Sequence, residues 1–181
     1  MDLTSAYLLE QDQTIRGCTR YAKNGGSPAR YGMVYDFCRH YKDILSIGSA
    51  GWEPVIIHAT RALDVSRVAE SMLRANGWTG EFILGDCCKL PFPDKSIECG
   101  TLIEVVEHLP KGSDVIKAVY ELNRVCRNWM MSTPIDGLHV KSHKRNLTDA
   151  DFEFLCKKTG AKYKKRERWF FMWKGKHEPK I

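Results

Sequence analysis

No stretch of this 181-residue sequence approaches the roughly 18 uninterrupted apolar residues that a spanning helix requires, which excludes a helical membrane protein. The first eighteen residues lack a basic start, an apolar segment and a small-residue cleavage site, so no secretion signal is read and the cytoplasm is the expected compartment. There is no CxxC pair and no Cys/His spacing of the zinc-finger kind. A GxSxG elbow and a P-loop are missing too, which weighs against hydrolases and nucleotide triphosphatases. No repeat or low-complexity tract occurs, and aromatic residues at 10% are too many for a disordered chain. The seven cysteines (Cys18, Cys38, Cys87, Cys88, Cys99, Cys126 and Cys156) are odd in number and unaccompanied by a signal peptide. They read as small buried hydrophobes; only Cys87 and Cys88 sit where chemistry could touch them.

What the sequence does have is alternation. The length suits one domain, taken as residues 31–181 behind an N-terminal arm of residues 1–30, with Asn24-Gly25-Gly26-Ser27-Pro28 as the separating loop. A helix is expected over 31–41. Short apolar runs at 43–47, 61–65, 80–84, 96–103 and 128–132 read as strands, each of the first three ending at glycine or aspartate. Helical spacing lies between them at 52–59, after the N-cap Ser66, and at 111–124. A further helix starts at Thr148, with Asp151 completing a capping box. About five strand–helix alternations predict an α/β fold: a doubly wound, mostly parallel sheet with helices on both faces.

Charge is polarised along the chain. Residues 1–140 carry 15 Lys+Arg against 17 Asp+Glu, whereas residues 141–181 carry 13 against 5. Within residues 157–168, Lys157, Lys158, Lys162, Lys164, Lys165, Arg166 and Arg168 run into Trp169, Phe170, Phe171 and Trp173. Cations beside aromatics suit an anionic partner such as RNA, and equally a solvated strand edge whose rings face a core.

Ligands of a doubly wound sheet bind beyond the carboxyl ends of its strands. The first strand there runs into Gly48-Ser49-Ala50-Gly51, small residues that let the backbone approach a ligand. Asp64 ends the second strand, sixteen residues after Gly48, where a carboxylate can accept from two vicinal ribose hydroxyls. Asp86 ends the third and Glu104 the fourth. Acceptors after successive strands are costly to cluster unless a ligand wants them.

These segments resemble class I S-adenosylmethionine-dependent methyltransferases. The resemblance is carried by residues 43–51, by Ala62-Leu63-Asp64-Val65-Ser66, by residues 85–96 and by Ile103-Glu104-Val105-Val106-Glu107-His108-Leu109-Pro110. Ser132-Thr133-Pro134 matches as well, and the segment from Gly85 to Ser96 is the most specific. The resemblance implies a three-layer Rossmann-like fold, S-adenosylmethionine as cofactor and methyl transfer to an unidentified small molecule or RNA. It implies that Gly48, Ser49, Ala50 and Gly51 meet the methionine end, Asp64 with Val65 the ribose, and Asp86 with Cys87 the adenine. Glu104 lines the mouth near the methyl group, and His108 is the expected base.

Three positions depart from the family. Ser46 stands where an acid is usual, and Ala50 and Trp52 replace glycines. The chain from Ala161 to Lys174 shows no evident turn, so an abbreviated closing edge of the sheet is expected.

Methyl transfer needs no metal, and none is assigned. A sharper alternative places Glu104, Glu107 and His108 with His139 or His143 around a divalent cation, resembling methyltransferases that modify the terminal 2′-hydroxyl of small RNAs. Two other readings remain: a binding module that keeps the fold without catalysis, and a nicotinamide-dependent oxidoreductase, which the incomplete glycine turn disfavours.

Overall fold

The computed structural model describes residues 28–49, 51–137 and 140–179. The N-terminal arm through Ser27, Cys18, Ala50 and His139 lie outside the described residues.

The chain runs α1 (Pro28–Cys38), β1 (Ile44–Ile47), α2 (Glu53–Ile56), β2 (Arg61–Asp64), α3 (Arg67–Ala75), β3 (Glu81–Leu84) and β4 (Ile97–Ile103). A single 3-10 turn follows (Val106–His108), then α4 (Gly112–Val125), β5 (Cys126–Pro134), α5 (Asp149–Thr159), β6 (Lys162–Arg166) and β7 (Trp169–Lys174). The seven strands form one sheet in the order β3-β2-β1-β4-β5-β7-β6, parallel except that β7 runs antiparallel to both neighbours. Strand order reverses between β1 and β4, which puts the ligand crevice beyond their carboxyl ends.

The elements follow the periodicity closely. β1 and β4 are buried almost throughout because helices cover both faces. Ser66 caps α3 by accepting from the Val68 amide, and Thr148 with Asp151 forms the expected capping box at α5. Beside a small cluster of Ala62, Leu73 and Trp78, two large core clusters flank the sheet. One gathers Leu45, Leu102, Leu122, Trp129 and Phe152, and the other Met33, Phe37, Ile44, Ile56 and Met130.

Three expectations need correcting. The helix expected over 52–59 is a single turn, because the chain leaves it at Ile57 to reach Thr60 beside β1. β5 is longer than expected, extending from Cys126 to Pro134. Most plainly, the sheet edge is not abbreviated: β6 and β7 form a complete antiparallel hairpin. Its turn was unreadable because Glu167, not glycine or asparagine, takes the left-handed position at φ 51°.

Phe170, Phe171, Met172 and Trp173 are buried, so the aromatic run belongs to the core. The cations of β6 stand on the open edge of the sheet. Lys165 pairs with Asp149 at 2.5 Å, and Lys164 lies over the Trp173 ring. Among the described residues, no helix is long and apolar enough to cross a membrane.

Candidate functional site

At the reversal of strand order lies a cavity of about 350 Å³ whose walls include Gly48, Asp64, Val65, Asp86, Cys87, Glu104, Val105 and His108. Carboxylates following three different strands thus share one space. Gly48 has φ 73°, and a β-carbon there would sit 2.4 Å from Val105 Cγ2, so glycine is required for the backbone to pass. Asp64 accepts from the Ser66 amide and Asp86 from the Cys88 amide, each at 2.8 Å through one oxygen. These local turns hold each carboxylate in place while its other oxygen stays available to a ligand.

Gly48, Asp64, Val65, Asp86, Cys87 and Glu104 all line the cavity as the sequence suggests. Ser49 is buried and Gly51 half-buried, and neither is part of the wall. Among the cysteines, Cys87 stands in the cavity with its thiol pushed well above the ordinary range by burial and by the neighbouring Cys88 and Asp86. That suits packing rather than nucleophilic attack.

Glu104 is the most constrained residue of the site. It takes φ 56°, outside the range most side chains adopt, and its carboxylate accepts from three elements. Ser132 Oγ on β5 donates to one oxygen at 3.0 Å. Trp169 Nε1 on β7 (3.1 Å) and the buried Arg30 on α1 (2.9 Å) hold the other. Neither Arg30 nor Trp169 stood out in the sequence as part of the site. Arg30 is the last residue of the stretch read as the N-terminal arm, and Trp169 belongs to the aromatic run that follows the basic segment.

His108 is exposed at the end of the 3-10 turn. Its Nδ1 lies 3.3 Å from the carbonyl of Ser142; a carbonyl only accepts, so Nδ1 carries the proton and Nε2 keeps the lone pair. The His143 ring meets it edge-on, with centroids 4.7 Å apart. Glu107 is fully buried; Thr133 Oγ1 donates to one of its oxygens at 3.1 Å, while the other, Oε1, has no hydrogen-bond partner among the described residues. Ligand atoms of Glu107, His108 and His143 all lie within 4.8 Å of one another.

Burial, reinforced by the nearby Glu104 charge, pushes the Glu107 carboxyl up to about 8. A carboxyl raised on folding adds stability below its unfolded value near 4.5, and that stability is lost as pH rises through 8. Glu107→Gln is therefore expected to match the unmutated protein in acid and to exceed it by several kcal/mol at pH 9, read by urea unfolding at both pH values. An equal dependence on pH in both proteins refutes the assignment.

Residues 50–128 match the family model described as a methyltransferase domain. No curated protein matches the chain in sequence. Among solved structures it resembles an S-adenosylmethionine-dependent methyltransferase from Clostridium acetobutylicum, with TM-score 0.64 and 12% identity over 86% of this chain and 96% of that one. The N-methyltransferase NodS of Bradyrhizobium japonicum superposes with TM-score 0.63 and 12% identity, over 80% and 93%. The YcgJ protein of Bacillus subtilis gives 0.59 and 20%, over 75% and 70%. Sheet order and strand-end acids agree with these matches: the chain has the fold of these S-adenosylmethionine-dependent methyltransferases, and its residues 50–128 are similar to a methyltransferase domain.

Proposed function

We propose that the chain transfers the methyl group of S-adenosylmethionine to a hydroxyl or amine acceptor at the His108 side of the cavity. The observation that carries this reading is the convergence of Asp64, Asp86 and Glu104, from three strand ends, on one space. The donor set fits the cofactor: Asp64 would accept from the ribose hydroxyls, Asp86 and the Cys87 amide would read the adenine, and the turn from Gly48 would face the methionine end. When bound, the cofactor supplies an already activated methyl group, so the protein's work is alignment, exclusion of water and removal of a proton. Glu104, held from three sides, keeps the wall rigid, and His108 Nε2 takes the acceptor's proton. The cytoplasm is the compartment this reading fits.

The test is transfer of labelled methyl groups from S-adenosylmethionine onto RNA, protein and metabolite extracts. Binding of S-adenosylhomocysteine without transfer to any acceptor favours the binding module, and tighter binding of NADH favours the oxidoreductase.

A second reading is favoured by the cluster of Glu107, His108 and His143: a divalent cation held there would activate an acceptor hydroxyl. Transfer abolished by a chelator and restored by manganese or zinc supports it; transfer indifferent to the chelator eliminates it.

The basic edge extends the proposal to an anionic acceptor such as RNA. Replacing Lys162, Lys164, Lys165 and Arg166 with glutamine should flatten the salt dependence of RNA binding by about 2–3 in log–log slope, with S-adenosylhomocysteine affinity unchanged. A flat profile in the unmutated protein means these cations serve only to keep the open edge from pairing with other strands.

A further inference from the structure

Behind the turn that begins at Gly48 lies a carboxylate that the mechanism above does not use. Ser46 on β1 and Thr101 on β4 are register partners in the sheet. Both hydroxyls donate to the same oxygen of Glu53, the first residue of α2, at 2.9 and 2.5 Å. Glu53 is 6% exposed, and the two hydroxyl residues are wholly buried. The Ser46 hydroxyl also meets the Ser49 hydroxyl, which belongs to the turn itself. Ser46 has one proton and gives it to Glu53, so Ser49 donates in the remaining contact and keeps its lone pairs for whatever enters the turn.

Packing alone does not call for this arrangement. Neighbouring positions of β1 and β4 are apolar (Leu45, Ile47, Leu102), and apolar side chains at 46, 53 and 101 would close the same space without desolvating a carboxylate. The position on β1 where the resembled family carries an acid is neutral here. A negative charge reaches the same level of the sheet from α2 instead.

We propose that Glu53 is a positioning residue for the cationic methionine end of the cofactor, its charge relayed to the turn through the Ser46 and Ser49 hydroxyls. The proposal rests on the methyltransferase reading. A chain of hydroxyls ending on a carboxylate is polarised along its length, which makes the last oxygen a better acceptor for an ammonium group. Two other charges act on Glu53: Arg30 from α1, which favours the ionised form, and Glu104 after β4, which opposes it. Burial outweighs them and pushes the carboxyl up to about 7, so its ionised fraction rises across neutral pH. Affinity for the methionine end rises with it.

The experiment is calorimetry with two ligands, S-adenosylhomocysteine and methylthioadenosine, which shares the nucleoside and lacks the amino-acid end. Glu53→Gln keeps the hydrogen bonds and removes the charge. It is expected to weaken S-adenosylhomocysteine binding about tenfold at pH 8 while leaving methylthioadenosine within about twofold. Affinity of the unmutated protein for S-adenosylhomocysteine should climb between pH 6 and pH 8, and that of the variant should not. The double change Ser46→Asp with Glu53→Ser returns the carboxylate to β1 and should recover most of the loss. If Glu53→Gln does not fold, Ser49→Ala carries the same two-ligand expectation. Equal weakening of both ligands, or of neither, overturns the proposal and leaves the cofactor site standing. Failure of the unmutated protein to bind either ligand overturns the methyltransferase reading and this proposal with it.

Discussion

Asp64→Ala is expected to bind S-adenosylhomocysteine about 1.5–3 kcal/mol more weakly than the unmutated protein, the range for hydrogen bonds to a charged acceptor. In calorimetry that is a loss of roughly ten- to a hundredfold. The loss should appear in affinity and not in stability. Asp64 ends β2 half-buried, and among the described residues its carboxylate takes the 2.8 Å bond from the Ser66 amide, at a helix start that the Ser66 hydroxyl caps independently. A variant that binds as tightly as the parent removes the ribose from this strand end and with it the registration of the cofactor in the cavity.

Glu104→Ala should do the opposite and show first in stability. Arg30 is 4% exposed and Glu104 22%, so truncating the carboxylate removes the ion pair of a buried guanidinium and the acceptor of the Trp169 N–H. Breaking such a pair costs about 3 kcal/mol, and a chain of this size should melt roughly 6–12 °C lower. The relief of the left-handed backbone at position 104 does not offset this, because alanine is strained there too. Urea unfolding of Glu104→Ala against Glu104→Gln separates charge from shape: glutamine retains an acceptor for Trp169 and should recover part of the loss. A Glu104→Ala protein as stable as its parent would mean that solvent already screens the pair.

How legible all this was depended on whether the signal was local. The parallel strands, the Ser66 and Thr148 caps and the acids at strand ends could be read because each depends on residues within a few positions of itself. The hairpin of β6 and β7 could not, since a glutamate in a left-handed turn leaves no compositional trace. Glu53 was hidden differently. An acid beside a proline at a helix start is ordinary dipole chemistry, and only its burial and the hydrogen bonds from Ser46 and Thr101 show that it points inward. Arg30 and Trp169 reach Glu104 across 74 and 65 residues of sequence, a distance over which no pattern in one chain carries information.

The reversed strand β7 has a consequence for assembly. Every parallel strand delivers its last residue to the ligand edge, whereas β7 delivers its first, Trp169, opposite Pro134 at the end of β5. β7 is also the last element of the sheet in chain order. During synthesis the half of the sheet built from β1 to β3 can form while the grip on Glu104 is still missing its indole. In the finished molecule the same strand lies next to the open edge, where native-state opening is least costly. Amide exchange along residues 169–174 should therefore slow when the cofactor site fills, although none of these residues lines its wall.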